Sequence, residues 1–364
     1  MNKSKYYAQI DFLKALAIIS VIILHTIPSN TVTNPISVFS IYQAVPIFLV
    51  LMGTNTLMSF KRHNYQVLIN IYPPYLKNRF ERVACPLIIL GILSLVLGIL
   101  SNKIIYLGIL TFTGYLPVSG PGNYFVSILI QFVLIFPILY KLYNYNSKYL
   151  LIISFILTFA FEVLANQILI DNSYLYKACI FRYLFLITLG MWLVDNFEPA
   201  DLKLFIMKRT VLTGLIASIA YMVGVSALSW SFPYFPSSWQ PQTVFSFFYP
   251  LILCVIGIKY LPSTSKGHIM NILSLIGKAS YHIFLIQIVF FGAGLSLTVV
   301  LSNYSLYNDT FYYGVFALIG NITIVLIIGL LFFFIESKIE AFIFSLIKQV
   351  KSFKKLLNYK LKVK

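Results

Sequence analysis

The sequence predicts an all-α polytopic membrane protein with about ten transmembrane helices, and three observations lead to this fold class. Hydrophobic residues make up 59% of the 364 residues, charged residues make up 10%, and the mean hydropathy is +0.87, which excludes an ordinary soluble domain. The apolar runs are about 20 residues long and rich in Leu, Ile and Phe, which suits helices rather than the short alternating strands of an outer-membrane barrel. Basic residues are concentrated between these runs.

Taken in order, ten apolar segments are predicted to span the bilayer. The first is predicted to be retained, because no small-residue cleavage site follows its apolar core. The ninth is unusually long and contains Gly292 and Gly294, so we expect it to be tilted or broken. The segments are residues 10–28, 36–58, 83–101, 124–143, 149–167, 178–196, 209–229, 243–261, 272–301 and 312–335.

The basic residues outside the segments predict an N-in, C-in orientation. With the N-terminus inside, 23 of the 27 Lys and Arg residues lie on the cytoplasmic side, against Lys103 and Lys177 on the other side. Because positive loops face the cytoplasm, an even number of spans is favoured over any odd number. The same loops and their contact with anionic membrane lipids account for the net charge of +17, and nucleic-acid binding is not expected.

Two regions are predicted: a transmembrane domain over residues 1–337 and a basic tail over residues 338–364. The tail alternates apolar residues with lysines, which is typical of an amphipathic helix lying on the inner leaflet. Cys85, Cys179 and Cys254 lie in or beside apolar segments, without the spacing of a disulfide framework or a metal site, so no metal is predicted.

The first segment carries Asp11, Lys14 and His25, which are costly in lipid unless they line a polar interior. Lys14 and His25 lie about 16 Å apart along a helix and on nearly the same face. We expect Lys14 near the inner mouth of a cavity and His25 about halfway across the membrane. Two interpretations are open for His25: a proton-handling group, or a core histidine whose hydrogen bonds are satisfied.

The third segment begins with Arg79 and Arg82, which share a helix face at the cytoplasmic side. Such a pair suits the phosphates of an anionic cofactor, or it serves as topogenic charge in contact with lipid. Farther along, Glu162 and Arg182 lie near the outer ends of segments five and six, where we expect them to pair with each other.

Segment nine carries Tyr281, His282 and Gln287, and Glu336 ends segment ten. We interpret Tyr281 and His282 as packing residues with polar tips, and Glu336 as the partner of a lysine.

Two predicted outer loops are uncharged and rich in aromatic residues. Residues 111–124 combine Gly, Pro and Tyr, and residues 229–243 contain several Trp, Phe and Tyr residues. One interpretation is an aromatic belt at the membrane interface. The other is a wall for a neutral, hydroxyl-rich ligand, because aromatic faces pack against sugar CH groups.

Seven fragments resemble, in the order in which they follow one another along the chain, those of the integral-membrane acyltransferase family 3, the O-acyltransferases of bacterial surface glycans. DFLKALAIISVIILH resembles the opening motif of a basic residue, ten residues and a histidine, with Lys14 where much of the family has Arg. LIGKASYHIFLIQ at 275–287 resembles the Gly-Lys-x-Ser-Tyr motif, with Gln287 where many members have His. The others are VPIFLVLMG at 45–53, NRFERVACP at 78–86, NYFVSILIQFVLIFPIL at 123–139, FRYLFLITLGMWL at 181–193 and FIES at 334–337.

The resemblance implies transfer of an acyl group, usually acetyl, from cytoplasmic acyl-CoA to a hydroxyl of an extracytoplasmic or lipid-linked sugar at the bacterial cell membrane. It implies His25 as the catalytic residue and Lys14, Arg79 and Arg82 as residues that support binding of CoA. As a sequence without a further domain, the chain resembles the single-domain members that modify exopolysaccharides, including the succinyl-transferring subgroup. Either acetyl-CoA or succinyl-CoA is therefore a candidate donor. Candidates for a supporting role are Asp11, Glu162, Arg182, Tyr281 and Gln287.

Other questions stay open at this point. Neutral His25 either removes the proton of the attacking hydroxyl or carries the acyl group covalently. A transporter or flippase for a glycan or its lipid-linked precursor also suits intramembrane charges. A third hypothesis is a partner of a polysaccharide synthesis complex.

Overall fold

The computed structural model describes residues 6–27, 34–62, 68–169, 172–197, 199–236, 239–303 and 311–362. All regular elements within these ranges are helical. Eight helical stretches are long and apolar enough to cross a membrane, and a shorter apolar stretch covers Val244–Tyr260. The predicted fold class, an all-α polytopic membrane protein, is therefore confirmed.

Fifteen α-helices lie in the described residues, and we number them along the chain. They are α1 Ala8–Thr26, α2 Pro35–Phe39, α3 Ala44–Arg62, α4 Leu68–Leu100, α5 Tyr124–Tyr145, α6 Ser147–Ile168, α7 Ser173–Ala178, α8 Leu184–Leu193, α9 Pro199–Met207, α10 Arg209–Ala227, α11 Phe248–Tyr260, α12 His268–Lys278, α13 Ser280–Gly292, α14 Leu297–Asn303 and α15 Phe311–Lys362.

Eight of the ten predicted segments coincide with long apolar helical stretches, and two are built differently. The segment predicted at 178–196 consists of the short helix α8 between two 3-10 turns. The Thr158 hydroxyl explains this irregularity, because it donates to the Phe181 carbonyl at 2.9 Å and accepts from the Phe185 N–H at 3.1 Å. A side chain that takes backbone bonds in this way interrupts a regular helix. The segment at 243–261 likewise begins with a 3-10 turn, Val244–Ser246, before α11.

The ninth predicted segment is broken twice. One break follows Gly292 and includes Gly294, which has a φ of +74°, as the two glycines predicted. The other lies at Ala279, between α12 and α13, and was not predicted. This earlier break lets α12 lie directly on α1: a Cβ at Gly277 would lie 1.9 Å from the carbonyl oxygen of Asp11, so glycine is required there.

Helix α1 lies at the centre of the bundle. It packs against α3, α11, α12, α13 and α15. In its most apolar stretch 67% of the residues are buried, against 17% for the stretch Tyr313–Glu336 of α15. The outer helices instead expose large apolar side chains, such as Ile88 and Ile92 of α4. Most side chains of α1 therefore contact other helices, although Leu16 is 50% exposed.

Helix α15 continues beyond the membrane-spanning stretch to Lys362. The predicted amphipathic tail, residues 338–364, therefore has a helical backbone up to that point. The side chains from residue 340 onward lie outside the described residues. The tail's contact with the inner leaflet, the boundary at residue 337 and the N-in, C-in orientation remain predictions.

Candidate active site

The first feature of the site is a cavity of about 580 Å³ between α1, α3, α4, α5, α12, α13 and α15. Four basic residues line it, and we call it the cationic cavity; they are Lys14, Arg79, Arg82 and Lys278. The structure thus brings together the three residues predicted to support cofactor binding. Arg79 and Arg82 are three residues apart within α4, and this spacing puts both on one face of the helix, the face that lines the cavity.

Lys14 is held from one side by a small polar network. Its Nζ lies 3.8 Å from Oδ1 of Asp11, one helical turn earlier. The Tyr6 hydroxyl donates to Oδ2 of Asp11 and lies 3.1 Å from Oγ of Ser274 on α12. The Lys278 ammonium lies 5.2 Å from the centre of the Tyr6 ring. Asp11, a predicted supporting residue, therefore orients Lys14 and leaves its ammonium facing the cavity.

A second cavity of about 290 Å³ adjoins the first at the N-terminal end of α1. The two cavities share Lys14, Asn55 and Arg79 as lining residues, and the smaller one adds Arg62. Positive charge therefore continues from the cationic cavity toward the end of α1 that we predict to be cytoplasmic.

The remaining wall of the cationic cavity is largely apolar. Phe48, Phe125 and Phe284 come from three different helices. The ring of Phe125 lies 6.2 Å from that of Phe48 and 5.2 Å from that of Phe284. A cavity with several cations and an aromatic flank suits a ligand that carries negative charge at one end and a less polar chain at the other.

Tyr281 also lines this cavity, and its hydroxyl is already engaged. It donates to the Val83 carbonyl at 2.9 Å and so ties α13 to α4 beside Arg82. This bond places Tyr281 as a positioning residue for the arginine-bearing wall.

The sequence did not reveal a histidine–carboxylate pair in the same wall. Nε2 of His282 lies 3.3 Å from Oε2 of Glu336, and both residues line the cationic cavity. The His282 ring packs edge-on against those of Phe332 and Phe333, at 5.2 and 5.1 Å between ring centres, as predicted for a packing residue with a polar tip. The sequence interpretation did not include its pairing with Glu336, and a lysine partner for Glu336 remains a prediction. The usable signal was that two ionisable residues in different apolar segments generally find each other.

His25 lies in the last turn of α1, which ends at Thr26. It is partly buried, and its ring meets that of Phe291 edge-on, with 6.1 Å between the ring centres. It is not among the residues that line the cationic cavity. His25 therefore lies near one end of α1, which begins at Ala8 and ends one residue after the histidine, and not at the middle of the helix. Its depth in the membrane remains a prediction.

Gln287 lies between the cavity and His25. On α13 it follows the cavity-lining Phe284 and precedes Phe291 by about one turn. Its Nε2 donates to the Pro121 carbonyl at 2.9 Å, which attaches α13 to the loop before α5.

Arg182 belongs to a different region. Its side chain is fully buried. Its guanidinium donates to the Tyr183 hydroxyl at 2.8 Å and to the Gln242 carbonyl at 3.1 Å, and lies 4.3 Å from the centre of the Tyr176 ring. Both terminal nitrogens of the guanidinium thus bond to the protein itself, whereas Nε has no hydrogen-bond partner among the described residues. Arg182 does not line the cationic cavity.

Glu162 is buried in the same region, but among the residues described no ion pair joins it to Arg182. Its two carboxylate oxygens instead accept from the Val244 N–H, at 3.2 and 3.3 Å. The predicted direct pair is therefore wrong. Backbone groups of the 3-10 turns near Gln242 and Val244 need partners in an apolar interior, and they engage both charged side chains.

A third cavity, of about 260 Å³, is lined by part of the predicted aromatic loop 229–243. We call it the aromatic cavity. Phe232 and Phe235 lie beside Tyr176, with the polar side chains of Asn166 and Gln240. The described residues that line it carry no charge. This wall is of the kind that we expected for a neutral, hydroxyl-rich ligand.

Comparison with known proteins gives one match. A family model described as an acyltransferase domain covers residues 7–335. No curated protein and no solved structure matches the chain. The matched range includes His25 and all residues that line the three cavities except Tyr6 and Glu336.

Proposed function

The chain belongs to the membrane acyltransferase family 3, and from that premise we propose that it moves an acyl group from cytoplasmic acyl-CoA to a hydroxyl of a bacterial surface polysaccharide or its lipid-linked precursor. Acetyl is the proposed acyl group, with succinyl as the alternative. The observation that carries the donor assignment is the cationic cavity, where Lys14, Arg79, Arg82 and Lys278 surround one space.

The donor fits this cavity through its charge and shape. The phosphate groups of CoA suit a site of several Lys and Arg donors, because charge-assisted hydrogen bonds are the strong ones. The aromatic flank of Phe125 and Phe284 suits the less polar arm that carries the thioester. The arm then extends along α13 toward His25, since Phe284 and Phe291 are about 10 Å apart along that helix.

We propose direct transfer with His25 as the general base. An imidazole nitrogen takes the proton of the sugar hydroxyl while the hydroxyl oxygen attacks the thioester carbonyl carbon. The C–S bond then breaks, and the CoA sulfur leaves with the proton returned from the imidazolium, which gives an ester and free CoA. General base catalysis of this kind typically contributes about 10²–10⁴-fold.

The acceptor side is supported by the aromatic cavity. Its neutral lining of Phe232, Phe235, Asn166 and Gln240 offers both apolar faces and amide groups to a sugar. The acceptor reaches this end of the bundle from outside the cell, opposite the donor's route past Lys14. The partners implied are a polysaccharide or lipid-linked sugar and the surrounding membrane lipids.

The test uses purified full-length protein in liposomes, with acetyl-CoA and succinyl-CoA in separate assays and mass analysis of the acceptor glycan. We expect the wild type to add one acyl group per acceptor hydroxyl, and His25→Ala to lose transfer while it still binds CoA. His268→Ala, an exposed histidine at the start of α12, is the matched control and should transfer normally.

Retained transfer in His25→Ala would overturn the proposed mechanism. Movement of glycan across the membrane with no consumption of acyl-CoA would favour the transporter hypothesis instead.

A further inference from the structure

The turn from Ser119 to Gly122 presses directly against α13, between the cationic cavity and His25. A Cβ at Gly120 would lie 1.9 Å from the carbonyl oxygen of Ile288, so backbone meets backbone there. A Cβ at Gly122 would lie 3.2 Å from the ring of Phe284, which lines the cavity. The turn therefore lies beside α13 at the level between the cavity and His25.

Two buried amide side chains flank the turn, and in each of them only one of the two polar atoms has a hydrogen-bond partner among the described residues. Oδ1 of Asn123 accepts from the Leu116 N–H at 3.2 Å, and Nε2 of Gln287 donates to the Pro121 carbonyl at 2.9 Å. These bonds fix which way each amide points. Within the described part of the chain, Nδ2 of Asn123 and Oε1 of Gln287 have no partner, although the residues are only 3% and 0% exposed.

An unpartnered donor and an unpartnered acceptor at one turn define a chemical complement. Buried polar groups are almost always hydrogen-bonded, so a pair left open calls for a group that brings both functions. A secondary amide does so, because its carbonyl accepts from one side chain and its N–H donates to the other. A thioester lacks the N–H, and a phosphate at neutral pH has no donor for Gln287.

We propose that Asn123 and Gln287 bind a secondary amide of the pantetheine arm of the acyl donor. This inference rests on the proposed function, which makes acyl-CoA the donor. The Asn123 Nδ2 donates to the amide carbonyl, and the amide N–H donates to Oε1 of Gln287. The rings of Phe125 and Phe284, 5.2 Å apart, pack on the adjoining methylene groups.

This assignment gives the turn a purpose in the reaction. The cations hold the phosphates at one end, and the bound amide sets how far the thioester extends toward His25. Asn123 and Gln287 are positioning residues, because they act on the reacting carbonyl through the arm. Of the other candidates with a donor group, Tyr281 and Gln287 donate to protein carbonyls, and Arg182 lies outside the cationic cavity. Nδ2 of Asn123 is therefore the open donor at this turn.

The test compares two probes by calorimetry on the purified full chain. One is coenzyme A, and the other is adenosine 3′-phosphate 5′-diphosphate, which is coenzyme A without its pantetheine arm. We expect Asn123→Asp, which keeps the acceptor for Leu116 but replaces the donor, to weaken coenzyme A binding by about tenfold. Gln287→Met should do the same. Both variants should bind the armless nucleotide within about twofold of the wild type.

The armless nucleotide also reports folding, because a misfolded variant loses both probes. Should Asn123→Asp lose both, the milder Asn123→Ser variant decides by the same comparison. Asn146→Asp, at the half-buried N-cap of α6, is the matched control and should bind both probes normally.

Equal binding of coenzyme A by the wild type and by folded Asn123 and Gln287 variants would overturn this inference and leave the proposed function standing. A wild type that binds neither probe would overturn the proposed function itself, and the inference with it.

Discussion

The cationic cavity and the surroundings of Arg182 both hold positive charge inside a helix bundle, but they use it in opposite ways. In the cavity, Lys14, Arg82 and Lys278 face an open volume of about 580 Å³. Arg182 instead donates to Tyr183 and Gln242, is fully buried, and lines none of the three cavities described above. A basic side chain that donates its hydrogen bonds to protein groups stabilises the fold, whereas a basic side chain that faces a cavity is available to a ligand.

The comparison also separates two kinds of intramembrane charge that look alike in sequence. A basic residue in an apolar segment costs free energy in either region, so the basic residues of both regions are expected to have a structural or functional role. Which of the two roles a residue has depends on what its donors meet. The predictions that follow test this difference, from the largest expected effect to the smallest.

The largest effect is expected for Arg182→Gln. The substitution leaves the Gln242 carbonyl and the Tyr183 hydroxyl without their donor, and leaves the carboxyl of Glu162 buried without a nearby cation. We expect a loss of about 3 kcal/mol in stability, measured as thermal unfolding in detergent. The exposed Arg209→Gln is the control and should unfold like the wild type. An unchanged unfolding temperature for Arg182→Gln would contradict a structural role.

The opposite pattern is expected for Arg82→Gln. Binding of coenzyme A should weaken by about 10-fold to 100-fold, because one charge-assisted hydrogen bond to phosphate is lost, while the unfolding temperature stays near that of the wild type. The remaining affinity should fall further as salt is raised. Calorimetry at two salt concentrations measures both effects.

The control for Arg82→Gln is Lys61→Gln. The Lys61 ammonium lies 2.5 Å from Oδ1 of Asp195 at the protein surface and does not line the cationic cavity. Its loss should change neither affinity nor stability by much, as is usual for an exposed ion pair. If Lys61→Gln weakens coenzyme A binding as much as Arg82→Gln does, net charge rather than the cavity governs binding.

The smallest effect is expected for Glu336→Gln. This carboxylate lines the same cavity as four cations, so its removal should strengthen binding of an anionic donor a fewfold. Asp201→Asn, an exposed residue of α9, provides the comparison and should leave affinity unchanged. Weaker binding by Glu336→Gln would mean that the carboxylate contacts the donor or orients His282.

Much of the fold could be predicted from the sequence, because the length and hydrophobicity of a segment are enough to identify a membrane helix. The misses have local causes. The segment at 178–196 is interrupted by bonds from the Thr158 hydroxyl, and the break at Ala279 lets Gly277 touch α1. Neither cause leaves a mark in the composition of the segment concerned.

The candidate site was accessible only in part. The sequence brought out Lys14, Arg79 and Arg82 because isolated charges stand out among apolar residues. It gave no sign of Asn123, whose importance lies in one unpartnered nitrogen at a turn. It also gave no sign that His282 pairs with Glu336, because the two residues are 54 positions apart in the chain and 3.3 Å apart in space.

By itself, then, the amino-acid sequence determined that this chain is a bundle of membrane helices with a few costly charges, because hydropathy is a property of each segment alone. The tertiary structure decided which of those charged groups face a cavity and which donate to backbone carbonyls. It also decided which amide side chains keep one polar atom without a partner. Those outcomes depend on the partners that packing brings to each polar atom, and a buried polar group is governed by its partners far more than by its own identity.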